Sequence, residues 1–210
     1  MKYFSKLLVI LLGLTFAACG SEQDDQKKAT EDKLKQFKKT DFQAFSSQYG
    51  TVEIQLPSCI KEGYTTAISL TDQNNRVCES KGIYFSVDAI STYSLRENYP
   101  LTYTQKHKES SSTPTNNAAY IIDYAIEKRI QVMIDYISSE FQTYQTNQGE
   151  KLWIKSMHGH KNEFADEQFY LFGGFEKEEV CYVFQFICLK VNSKYYFNDF
   201  VHFFKTAVIY

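Results

Sequence analysis

The run VCYVFQFICLK, residues 180–190, decides the fold. Both of its alternations are apolar: Cys181, Val183 and Ile187 on one, Tyr182, Phe184, Phe186 and Cys188 on the other. A half-exposed strand would place a polar residue at every second position. A run apolar on both sides suits a strand covered on each face, so 180–190 reads as a central strand. Cys181 and Cys188 are seven positions apart, which on one straight strand points them to opposite faces and prevents a bond between them. They read as buried free thiols, because free cysteine packs as a small hydrophobe.

Working outward from this strand, Asn192-Ser193 can cap a closing helix. Its stripe is Phe197, Phe200, Val201, Phe204 and Val208. Upstream, 167–174 and 151–158 have strand character, with Gly173-Gly174 expected to break or bulge the former. Before them, Asn116 or Asn117 caps an amphipathic helix of about twenty residues. Ile122, Ile126, Ile130, Met133, Ile134 and Ile137 form its apolar stripe. Residues 90–116, with Pro100, Pro114 and the run 110–113, read as a long mobile excursion. The N-terminal part offers strands at Val52-Ile54-Leu56, at 67–70 and across Val77–Val87, with a turn signal at 72–75. Strands grouped between helices, without βαβ alternation, indicate an α+β fold. The expectation is a mainly antiparallel sheet of about six strands packed with two main helices.

This order resembles the PsbP-like/DcrB-like family. The resemblance rests on the early strand ending in Leu56-Pro57-Ser58, the strand Ile83-Tyr84-Phe85-Ser86-Val87, the helix near 117–139, the YVFQFICLK strand and the aromatic closing helix. It implies a sheet sandwiched by helices, with a non-catalytic binding or accessory role assisting an envelope protein partner.

The N-terminus carries a different signal. Lys2 and Lys6 precede the apolar run Leu7–Ala18, too short to span a bilayer, and Ala17-Ala18 stand directly before Cys19. The arrangement resembles the bacterial lipoprotein signal, although Phe16 stands where that pattern prefers Leu. The resemblance implies cleavage before Cys19 and acylation of its side chain and amino group, palmitate being a usual chain. Two or three chains anchor a protein firmly where one does so marginally. Residues 20–41 carry six acids and six lysines and almost no apolar side chain, so they read as a flexible tether. The expected organisation is 1–18 signal peptide, 19–41 lipidated cysteine and tether, and 42–210 one globular domain. The expected location is the bacterial cell envelope, with the outer membrane favoured and the domain on its periplasmic or surface face. The acidic cluster Glu22, Asp24 and Asp25 resembles surface-export signals.

Charge and motifs narrow the function. The formal charge is −2, and losing Lys2 and Lys6 with the leader takes it to −4, which gives no electrostatic reason to expect nucleic acid. The cysteines other than Cys19 allow three pairings, of which Cys59–Cys78 is favoured. A metal-thiolate site would want closer pairs such as C-x-x-C, and the chain has none. His158 and His160 share a strand face, with Glu163, Asp166 or Glu167 near enough in sequence to add an oxygen ligand. That pair defines an alternative reading, a metal-dependent hydrolase. His107 and His202 stand alone. The Tyr-rich stretches read as half-buried positions rather than a stacking site. G-x-S-x-G, the P-loop, G-x-G-x-x-G and H-E-x-x-H are absent from the sequence. No cofactor is expected. A small-ligand carrier is a third reading, requiring a closed apolar cavity between sheet and helices.

Overall fold

In a computed structural model of the chain, the described residues are 37, 39–62, 75–98 and 116–210. The leader, Cys19, the tether as far as 36, the 67–70 strand and residues 99–115 of the excursion lie outside them. The chain divides between Lys39 and Thr40, and the unit Thr40–Tyr210 carries the fold.

Eleven strands and three α-helices occur among the described residues. In chain order they are β1 (Thr40–Ser47), β2 (Gly50–Pro57), β3 (Lys61–Glu62), β4 (Asn75–Cys78), β5 (Ile83–Ser91), α1 (Thr92–Asn98) and α2 (Asn117–Ile130). Then follow β6 (Ile134–Ser138), β7 (Gln142–Gln145), β8 (Lys151–His160), β9 (Gln168–Lys177), β10 (Val180–Leu189), α3 (Lys190–Lys205) and β11 (Val208–Ile209). The expectation of about six strands is therefore too low. A small sheet β1-β2-β11 stands beside a main sheet ordered β3-β4-β5-β10-β9-β8, with β6 and β7 both along the outside of β8. All the pairings are antiparallel. β10 lies inside the main sheet between β5 and β9, where a strand apolar on both faces belongs.

One face of the main sheet carries α2. Its Ile121, Ile122, Ala125 and Ile126 pack on Met157, Tyr170, Phe172, Cys181, Val183 and Ile187. The other face carries α3 and the small sheet. There Phe186 stacks on Phe200 at 3.9 Å and 4°, Phe184 on Phe204 at 5.6 Å, and Phe45 of β1 meets Phe85 edge-on at 5.6 Å. Gly173 and Gly174 neither break nor bulge β9: the register with β10 runs unshifted from Val180↔Lys177 to Leu189↔Gln168. They are small because helices press on both faces. A Cβ on Gly173 would sit 2.4 Å from Phe204, and one on Gly174 would sit 3.3 Å from Ile122 and 3.2 Å from a strand carbonyl.

The long helix is shorter than its periodicity suggests. Asn116 caps it, its side-chain oxygen accepting from Ala118 N at 2.9 Å and Ala119 N at 3.4 Å, but the helix ends at Ile130. Val132 N and Met133 N bond three residues back, and Asp135 takes φ +49°. The β-branched residues Ile134 and Ile137 then pair with β8 as an exposed strand instead of continuing the buried stripe. The register shift between them marks a bulge that blunts this sheet edge. Helix α3 starts earlier than Asn192-Ser193, at Lys190 directly from β10, and the Ser193 hydroxyl donates back to Lys190 O at 2.8 Å. Val208, expected on its stripe, lies in β11. The start of the excursion is ordered as the end of β5 and α1.

Register also shows which ends coincide. Tyr84↔Ile187, Leu189↔Gln168, Gly159↔Gln168 and Ile134↔His160 bring the start of β5, the end of β10, the β8–β9 turn and the start of β6 to one end of the sheet. Cys78 pairs with Ile83 and bonds Cys59, two residues after Pro57, the partner of Thr40. The polypeptide thus enters the fold at that same end. Among the described residues, no helix is long and apolar enough to cross a membrane.

Candidate functional site

The chemistry-bearing residues singled out from the sequence fall in separate places. Cys59 and Cys78 are joined, with Cα atoms 5.1 Å apart, beside an open cleft of about 400 Å3 lined by Cys59, Lys61, Val77, Glu79 and Ser80. Cys181 and Cys188 are buried free thiols on opposite faces of β10, one within the α2 core and the other on the α3 side. Burial pushes each thiol up to about 12, so neither is a thiolate at ordinary pH.

His158 and His160 share the α3 face of β8, in register with β9. His158 Nδ1 meets Glu167 Oε1, and His160 Nδ1 faces Ala165 O at 2.9 Å. Both contacts hold the β8–β9 turn closed. Glu163 and Asp166 lie exposed in that turn. Among the described residues, no group of three or more His, Cys, Asp or Glu side chains is placed to hold a metal ion.

The polar groups that the fold does bring together lie on the α2 face. Ser86 of β5 is directly opposite Gln185 of β10, and Asp88 follows two residues along β5. All three are buried, as is Arg129 at the end of α2. The Arg129 guanidinium stands 5.2 Å from the centre of the Tyr170 ring. Burial lowers the pKa of Arg129, with Tyr170 opposing, and raises that of Tyr170, with Arg129 opposing. Lys155 Nζ donates to Asp123 Oδ1 at 2.7 Å and lies 4.7 Å from the Phe141 ring centre, tying α2 to β8. Two buried donors on this face, Gln185 Nε2 and Trp153 Nε1, have no hydrogen-bond partner among the described residues.

The sequence reading passed over these groups, although two of them left a signal. Gln185 is the one polar residue inside the apolar run, and Arg129 is a cation on the buried stripe of α2. Each is a local rule broken inside a core, the kind of place where function or a bound molecule is sought. Ser86 and Asp88 left no such mark, because only the β5–β10 register sets them beside Gln185.

No family model matches the sequence, and no curated protein does. Solved structures do match the fold. Cyanobacterial PsbP (CyanoP) of Synechocystis sp. PCC 6803 is similar at a TM-score of 0.55 and 10% identity, over 80% of this chain and 92% of that one. A protein of unknown function from Pseudomonas aeruginosa is similar at a TM-score of 0.38 and 7% identity, over 80% of this chain and 96% of that one. The first of these, with the layered antiparallel sheet, shows that the fold is PsbP-like.

Proposed function

We propose that this chain is a bacterial lipoprotein, cleaved before Cys19 and acylated there. In this reading its PsbP-like domain is a non-catalytic binding module that assists an envelope complex. The observation that carries the binding reading is how the fold uses its reactive side chains. The imidazoles of His158 and His160 close a turn, the thiols of Cys181 and Cys188 are buried and protonated, and Cys59 is bonded to Cys78. The anchoring part rests on the leader sequence, and a disulfide suits an oxidising compartment outside the cytoplasm.

Intact mass and detergent partitioning of the wild type against Cys19→Ser test the anchor. The wild type is expected to carry acyl chains and enter the detergent phase, whereas Cys19→Ser should do neither. Equal partitioning rejects the lipoprotein reading. Non-reducing peptide mapping is expected to recover Cys59 linked to Cys78, and finding both as free thiols rejects that pairing. The metal-hydrolase alternative is decided by elemental analysis and by His158→Ala plus His160→Ala. A metal-free protein that folds fully with both imidazoles removed eliminates it.

One observation favours the small-ligand reading: the Gln185 amide donor is buried on the α2 face beside Ser86 and Asp88. A ligand there would offer Gln185 an acceptor. Native mass spectrometry of protein isolated from its own cells would show a bound small molecule, absent from Gln185→Leu. No mass beyond that of the covalent protein in either form rejects this reading.

A further inference from the structure

The large apolar side chains left at the surface are unevenly placed. Phe164 is 96% exposed, Val191 72% and Val132 62%. All three lie at the end of the sheet where the polypeptide enters at Thr40. Phe164 is in the β8–β9 turn, Val191 in the first turn of α3, and Val132 between α2 and β6. Ile137 of β6, 61% exposed, and Phe42 of β1, 58%, stand two to three residues in from that same end, whereas at the opposite end, between β5 and β9–β10, the exposed large residues among the described ones are Tyr93 and Tyr210, which carry phenol hydroxyls.

The Phe164 turn is built rather than loose. Phe164 N donates to Asn162 Oδ1 at 3.0 Å, Ala165 N to Asn162 O at 3.1 Å, and Lys190 N to Glu167 O at 2.8 Å. His160 adds its contact to Ala165 O. The backbone that carries the ring is therefore already fixed before any contact is made. The charges around it are of both signs: Lys161 and Lys190 stand against Glu163, Asp166 and Glu167.

We propose that this end of the domain rests on a lipid bilayer, with Phe164, Val191 and Val132 entering its interfacial layer. The inference rests on the lipoprotein reading, since lipid on Cys19 is what brings a bilayer near. Twenty residues separate Cys19 from Thr40. A chain of that length reaches at most about 70 Å when fully extended. It joins the domain at the end that carries the apolar tips. Lipid on Cys19 would keep a bilayer within that reach, so contacts too weak to act from solution suffice. A protein partner would read a contiguous, close-packed patch. Three tips on separate segments fit a fluid surface that deforms around each. The mixed charges leave no strong field of one sign at the tip, and lysine stems lie along such an interface.

The test uses the full-length protein in vesicles of phosphatidylethanolamine and phosphatidylglycerol, with a fraction of the acyl chains brominated to quench indole. Intact mass first establishes whether Cys19 is acylated, so failure of the anchor is read there and not in the quenching. Phe164→Trp places an indole at the tip, and the parent, whose one Trp is Trp153, gives the background. Strong quenching of the new indole is expected, with little change in the parent. Adding Val132→Ser and Val191→Ser should weaken membrane residence of the tip by roughly tenfold or more. Absence of quenching in acylated, vesicle-bound protein overturns the proposal. If the mass shows no acyl group, the same measurement is made at saturating vesicle concentration, where quenching supports the contact and its absence overturns it. Raising salt to about 1 M, where screening acts within ~3 Å, should leave the quenching unchanged. Release of the tip by salt overturns apolar insertion.

Discussion

The two faces of the main sheet are packed by different means. On the α3 face the core is aromatic: Phe85, Phe184, Phe186, Phe200 and Phe204 form a connected set of rings. Its buried polar groups are answered by backbone, as Thr206 Oγ1 donates to Phe203 O at 2.7 Å and accepts from Gln55 N at 2.9 Å. On the α2 face the core is mainly aliphatic, with Tyr170 and Phe172 within it, and it encloses Ser86, Asp88, Gln185 and Arg129. Rigid rings lock one another, so the α3 face has one arrangement and little tolerance. Aliphatic side chains adjust more easily, and a face that already holds polar groups can accept a molecule or lose its helix at lower cost. The comparison teaches that stability and adaptability are divided between the two sides of one strand, β10.

The largest test uses neighbours on that strand. Phe186→Ala should cost about 3–5 kcal/mol, because the ring touches Phe85, Phe200, Phe203 and Phe204. Ile187→Ala, on the other face and 7% exposed, should cost about 2 kcal/mol. Equal losses in denaturant unfolding would break the comparison. A second pair sharpens it. Gly173→Ala drives a methyl into Phe204, whose ring is already held by Phe184 and Phe186, and should cost about 1–3 kcal/mol. Gly174→Ala meets the movable end of Ile122 and a strand carbonyl, and should cost under about 1 kcal/mol.

These pairs also show what could be read from the chain. β10 was legible because a strand with two covered faces must be apolar on both, and VCYVFQFICLK is. The end of α2 was not. Ile134 and Ile137 fall at helical spacing from Ile130 by coincidence, and their pairing with β8, a tertiary contact, decides their conformation. The twin glycines were seen, but not their reason, which lies in two helices remote in sequence. The apolar tips were invisible for the same cause. Val132, Phe164 and Val191 are about thirty residues apart in sequence, and only the strand order gathers them at one end. Local pattern reports what a residue buries; it does not report whom it meets.

A smaller effect tests the α2 face itself. Gln185→Leu removes a buried donor that has no partner among the described residues and should raise the stability of ligand-free protein by about 1 kcal/mol. A loss of similar size in the same measurement would mean that the amide is paired, and the contrast between the faces would narrow. The change should leave Phe186→Ala equally costly, since the two side chains lie on opposite sides of β10 and Phe186 is the one that meets α3.

The least of these effects compares the two thiols, one per face. Cys181 and Cys188 each have a folded pKa raised to about 12, in both cases mainly by burial. A group whose folded pKa is raised contributes stability below its unfolded pKa, roughly 8.5 for a thiol. It loses that contribution as pH climbs through the window toward 12. Each thiol should therefore cost on the order of 1 kcal/mol by about pH 9, and Cys181→Ala or Cys188→Ala should flatten the alkaline fall in stability relative to wild type. Unchanged slopes in both variants would mean that the thiols are not held away from water. Timing separates the faces further. If α2 leaves its side of the sheet more readily than α3, Cys181 should be alkylated before Cys188 under native conditions, with both reacting together on full unfolding. The reverse order would place the adaptable side under α3 and invert the comparison.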